Sequence, residues 1–134
     1  MKKLLPLLLI AFVSVSALMS CSKDDVDGET GSRFKPSDFK ISNIKATQRA
    51  GSSTLSISFD QTNTTDMNYT YDSDGSFRIK WTVNSTDGNT YNEDRLLATV
   101  LDAKATSAET GTIQLSPGKI ADISTLKYEV YYNY

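Results

Sequence analysis

Residues 77–84 read Phe77-Arg78-Ile79-Lys80-Trp81-Thr82-Val83-Asn84, and the fold turns on this stretch. Apolar and polar side chains alternate without a break. In an extended strand, successive side chains point to opposite faces, so Phe77, Ile79, Trp81 and Val83 belong to a core while Arg78, Lys80, Thr82 and Asn84 meet water. Asp87-Gly88-Asn89 follows, which suits a tight hairpin into a short strand near residues 90–93.

The same period of two recurs on both sides. Phe39 and Ile41 alternate with Lys40 and Ser42 in residues 39–45, and Leu55, Ile57 and Phe59 alternate with serines and Asp60 in residues 54–60. Ile113 and Leu115 mark a further strand. In residues 126–134, Leu126, Tyr128, Val130, Tyr132 and Tyr134 share a face opposite Lys127, Glu129, Tyr131 and Asn133. Residues 96–102 fit either a strand or a short helix, and the adjacent β-branched pair Thr99-Val100 favours the strand. Asp74-Gly75, Asp87-Gly88, Pro117-Gly118 and the weaker Ala50-Gly51 punctuate these runs as turns. No internal repeat and no low-complexity run interrupts them.

About seven short antiparallel strands predict an all-β fold, an immunoglobulin-like β-sandwich over residues 38–134. A closed eight-stranded barrel ordinarily needs more chain. The Trp81 strand with its Asp-Gly hairpin resembles the third strand of immunoglobulin-like domains. Leu126-x-Tyr128-x-Val130 resembles the penultimate strand of fibronectin type III modules. The pattern departs from that family because no further strand follows Tyr134. Two readings stay open: a strand count shifted by one, or a sandwich short of its last strand, whose free edge could accept a partner strand.

Upstream of the domain the chain changes character. Met1-Lys2-Lys3 precedes an apolar run from Leu4 to Leu18, the pattern of an export signal over residues 1–20. Pro6 and two serines interrupt the run, which is short for a membrane-spanning helix of roughly 20 apolar residues. Leu18-Met19-Ser20-Cys21 resembles the lipobox of bacterial lipoproteins, with Leu18 as the aliphatic residue and Ser20 as the small one. The resemblance implies cleavage before Cys21, a diacylglycerol on its thiol and usually a further acyl chain, such as palmitate, on its amine. Each buried methylene contributes about 0.8 kcal/mol, so chains in that number hold a protein to a membrane. Ser22, where an aspartate would resemble the inner-membrane retention signal, favours the outer membrane. Ser22-Lys23-Asp24-Asp25 resembles the export signal of Bacteroidota surface lipoproteins, which implies display on the cell surface. It also has the composition of a plain charged linker. Residues 21–37, polar and with glycines at 28 and 31, read as a flexible tether with a reach of roughly 20–25 Å.

Composition closes off much chemistry. Cleavage before Cys21 removes two of the fourteen basic residues and none of the sixteen acidic ones, leaving a net charge of −4. That balance offers no footprint for nucleic acid. Cys21 is the one cysteine, so no intramolecular disulfide supports the domain and a hydrophobic core must do so. There is no histidine, which removes serine–histidine and cysteine–histidine catalysis together with most zinc sites. No cofactor is expected. Carboxylate-only hydrolysis stays formally open, but it needs a deep cleft that a small sandwich rarely has.

Two constellations could carry a ligand. Asp72-Ser73-Asp74-Gly75-Ser76 looks at first like a calcium loop, but its glycine is fourth rather than sixth and no glutamate stands at the twelfth position. Asp72 and Asp74 could bind calcium weakly, although Asp, Ser and Gly are also simply good turn formers, which is the favoured reading. Tyr69, Tyr71, Tyr91 and Tyr131 could stack on sugar rings if exposed. The favoured reading is that tyrosine is a good strand residue that closes the edges of a sandwich. The expected function is therefore a non-enzymatic surface lipoprotein whose domain binds, as an accessory subunit of an envelope or outer-membrane transport complex. An extracellular glycan-binding module and a small carboxylate hydrolase are the alternatives.

Overall fold

The computed structural model describes residues 32–134. The signal segment 1–20 with Leu18, Met19 and Ser20, the anchor Cys21, and Ser22, Lys23, Asp24 and Asp25 lie outside the described residues. What is described is an all-β antiparallel sandwich of eight strands. They are β1 (Phe39–Gln48), β2 (Thr54–Asn63), β3 (Tyr69–Thr70), β4 (Ser76–Ser85), β5 (Thr90–Leu96), β6 (Val100–Leu101), β7 (Thr106–Gln114) and β8 (Ala121–Asn133). A one-turn helix, α1 (Tyr71–Asp74), joins β3 to β4. One sheet runs β1-β2-β7 and the other β5-β4-β8, with β3-β6 as a two-residue ladder beside them.

The core lies where the alternation places it. Phe77, Ile79, Trp81 and Val83 of β4 are buried against Leu55, Ile57 and Phe59 of β2, with Ile113 and Leu115 on the same core. β4 is central because both of its faces of hydrogen bonding are used, by β5 from Arg78↔Leu96 to Asn84↔Thr90 and by β8 from Ser76↔Asn133 to Ser85↔Ala121. The four turn signals hold, and Gly51, Gly75, Gly88 and Gly118 all have positive φ. Asp74-Gly75 does so as the end of α1, with Gly75 N–H donating to the Tyr71 carbonyl at 3.0 Å.

Three expectations need correction. The domain does not begin at Asp38: Phe34 is fully buried, its ring 5.8 Å from Phe39 and 5.4 Å from Tyr69, so the end of the expected tether is part of the core. Residues 96–102 are neither one strand nor a helix. Leu96 ends β5, residues 97–99 are irregular, and Val100–Leu101 form β6, because the chain must cross from one sheet to the other there. Last, β7 starts at Thr106, well before Ile113. Its inward positions Ser107, Glu109 and Gly111 are polar or bare and give no apolar alternation.

Candidate functional site

A two-sheet sandwich has two seams, and here they differ. At the β5/β7 seam, charged side chains stitch the sheets together. Glu93 accepts from Thr112 N–H at 2.9 Å, and Arg95 donates to the Thr110 carbonyl and lies 3.7 Å from Glu109. Gly111 makes the approach possible, since an added Cβ would sit 3.1 Å from the Glu93 carboxylate. Charged side chains laid over strand edges are a usual means of blocking unwanted pairing.

The β1/β8 seam is closed only at its ends. At one end the Gln48 amide donates to the Ser52 and Lys119 carbonyls at 2.7 and 2.8 Å, and its oxygen accepts from Ala121 N–H at 2.8 Å. At the other, the 3-10 turn Pro36–Asp38 packs beside β8, and Tyr132 meets Phe77 edge-on at 5.1 Å. Between these ends the core-facing side of β8 is open. Register places Tyr128, Val130 and Tyr132 opposite Trp81, Ile79 and Phe77, hence on the core face. Yet Tyr128 is 42% exposed and Leu126, Val130 and Tyr132 are only half-buried, whereas their partners on β4 are fully buried. Among the described residues no strand pairs with the outer edge of β8.

Across the gap, β1 is interrupted by a bulge between Ser42 and Lys45, with Asn43 at φ 52°. Downstream of it Ile44 has the parity of Ala46, which packs on the core, yet Ile44 is 39% exposed. Of the large hydrophobic residues exposed among the described residues, Ile44, Ile120, Ile123, Tyr128 and Tyr134 lie along this side, whereas Met67, Tyr71 and Val100 lie elsewhere. Two shallow clefts lie near β8, the first on the outward face of β4 and β8 rather than in the seam. One, of about 390 Å³, is lined by Lys80, Thr82, Lys127, Tyr128 and Glu129. The other, of about 370 Å³, lies between the β1–β2 turn and Gly118, Lys119 and Ile120. Trp81, 5.4 Å from the Tyr128 ring, keeps a buried indole N–H with no acceptor among the described residues.

The outward face of β5-β4-β8 is electrostatically ordered. Asp94, Lys80 and Glu129 form one cross-strand row of alternating sign. Beside it Arg78 donates to Asp94 at 2.8 Å, and the Tyr131 hydroxyl donates to the same carboxylate. Burial pushes the Asp94 carboxyl up, but Tyr131 and Arg78 together outweigh it and hold it below its ordinary range. The hydrogen bond to Asp94 in turn raises the Tyr131 phenol. Lys127 and Glu129, on either side of Tyr128, make no ion pair among the described residues.

The expected ligand residues are not brought together. Tyr69 is fully buried, its hydroxyl donating to the Gly75 carbonyl at 2.8 Å, so it cannot stack on a sugar. Tyr91 packs against the core, Tyr131 is tied to Asp94, and Tyr71 is exposed alone on α1. Asp74 is likewise not poised for calcium. Its Oδ1 accepts from Arg33 Nε at 2.6 Å and its Oδ2 from Thr70 N–H at 2.9 Å. The Arg33 guanidinium holds this buried carboxyl below its ordinary range, while Asp72 faces solvent. Among the described residues no group of three acidic, histidine or cysteine side chains could hold a metal ion. Of the residues lining the two clefts described above, one is a carboxylate, Glu129.

The sequence pattern assigns Tyr128 and Val130 to the core face but says nothing of their exposure. Ile44 is invisible to it because the bulge breaks the alternation. No family model, curated protein or solved structure matches the chain.

Proposed function

We propose that the chain is a non-catalytic binding lipoprotein of the outer membrane, anchored through Cys21 and facing outward. It works as an assembly component of an envelope or transport complex and engages protein by strand addition at β8. The observation that carries this reading is the open β1/β8 seam. Core-facing side chains stand half in water there, next to backbone groups with no strand to pair with, while the opposite seam is stitched shut. An added strand supplies main-chain hydrogen bonds, and alternate side chains supply specificity. The lipobox-like Leu18-Met19-Ser20-Cys21 and the Ser22-Lys23-Asp24-Asp25 segment support the anchor and the address.

One experiment in bacterial cells tests both halves. A photocrosslinking residue in place of Tyr128 is expected to capture a discrete protein on the intact membrane, whereas the same residue in place of Ser56, exposed on the outer face of β2, captures none. The chain should carry palmitate label, and Cys21→Ala should lose both label and signal cleavage with the domain still folded. Equal capture from both positions removes the binding edge, and label retained in Cys21→Ala removes the anchor.

A further inference from the structure

Resting on that reading of the edge, we infer that the strand added to β8 is β8 of a second copy, antiparallel, with Tyr128 opposite the partner's Tyr128. The sequence of the edge is self-complementary about this residue. In an antiparallel pair with its two-fold axis at Tyr128, Lys127 falls opposite the partner's Glu129 and Glu129 opposite the partner's Lys127. Neither of these two charges finds an ion pair among the described residues. Opposite charges directly across a strand pair are favourable, and like charges there are unfavourable. The partner's Lys127 also extends the row Asp94, Lys80, Glu129 by a further alternation of sign.

The other face agrees. The two Tyr128 rings meet each other, flanked by Val130 of each copy and by Leu126 at the end of the irregular stretch. All of these are core-facing residues left part-exposed in the single chain. The result is one continuous sheet of six strands, β5-β4-β8-β8-β4-β5. Moving the axis to Val130 sets Glu129 against Tyr131 and Lys127 against Asn133, so both charge pairs vanish. Length limits the pairing too. The register jumps from Thr82↔Lys127 to Asn84↔Asp122, so the regular part of β8 starts at Lys127 and the contact is short. A contact of this size is below that of stable solution dimers. Confinement of both copies to one membrane by the lipid raises their effective concentration and compensates.

Cys21 is the only cysteine of the chain and is acylated in the proposed function, so an introduced thiol reports alone. In the full chain on its own membrane, Tyr128→Cys is expected to form a disulfide-linked dimer under mild oxidation. Lys127→Cys and Glu129→Cys should each form little alone, but should join to each other when the two differently tagged chains are co-expressed. Adding Lys127→Glu to Tyr128→Cys should slow trapping about tenfold, because Glu then faces Glu twice. Adding Glu129→Lys as well should restore it, since the charges are again opposite. Trapping of Val130→Cys or of Lys127→Cys alone as fast as Tyr128→Cys overturns the register, and so does a double charge reversal that does not rescue. If Tyr128→Cys yields no dimer while the photocrosslinker at that position captures a different protein, the second copy is excluded and the binding edge stands. If neither reagent gives an adduct, both ideas fall.

Discussion

Phe34→Ala should lower the stability of the folded domain by about 3–5 kcal/mol, the usual result of truncating a fully buried phenylalanine. The ring is fully buried, stacks near Phe39 at 5.8 Å and meets Tyr69 edge-on at 5.4 Å. Through Phe39 and Tyr69 it joins an aromatic cluster that continues to Phe77 and Tyr132. Its removal leaves a void that the cluster cannot refill, because every neighbouring ring is already held on two sides. For a domain of this size the thermal midpoint should fall by more than about 10 °C. The same residue settles where the domain starts. A chain beginning at residue 32 should melt like the mature protein, whereas one beginning at Asp38 should lose at least as much as Phe34→Ala. The shorter chain also loses Arg33, which leaves the Asp74 carboxylate buried without its cation. Equal melting of the two truncated chains, followed by calorimetry or circular dichroism, would remove Phe34 from the core.

Gly75→Ala is the second large effect, at about 2–6 kcal/mol. Two costs of about 1–3 kcal/mol each combine, one from backbone strain and one from overpacking. Gly75 sits at φ 86°, ψ 179°, a region that residues with a Cβ essentially never populate. An added Cβ would also lie 2.7 Å from Tyr132 Cε2 and 2.9 Å from its Cζ. Phe77, 5.1 Å away, blocks the Tyr132 ring on its core side, so the ring can give way only toward the exposed Tyr134, 5.3 Å away. Gly88→Ala is the matched control: φ is 89°, but an added Cβ meets nothing within 4 Å. Denaturant midpoints should therefore fall much further for Gly75→Ala than for Gly88→Ala. Similar losses at the two positions would show that Tyr132 does not confine the site and that backbone strain alone operates.

Legibility followed chemistry along the chain. β4 could be read residue by residue because it is central, with one face in the core and one in water. β7 could be read only from Ile113 onward, because its earlier inward positions are Ser107, Glu109 and Gly111, which serve the charged seam with Arg95 and Glu93 rather than the apolar core. Phe34 was hidden by its polar neighbours: one apolar residue in a tether-like segment carries no period. Tyr69 bears out the favoured strand reading over the sugar-stacking one. A tyrosine flanked by Asn68 and Thr70 looks solvated, and only the fold shows its ring buried with the hydroxyl bonded to Gly75.

Local pattern alone determined the all-β class, the inward faces of β2, β4 and β8 and the four glycine turns, because a period of two and a positive φ are properties of neighbouring residues. It also carried the expectation of a lipid anchor on Cys21. Which edge stays open was decided by tertiary structure. Tyr128 and Trp81 both lie on apolar alternating faces, yet one is 42% exposed and the other fully buried. The difference is that β4 has a strand on each side, while among the described residues β8 has one on one side only. Burial depends on what packs beyond the neighbouring strand, and no pattern within the strand itself encodes that.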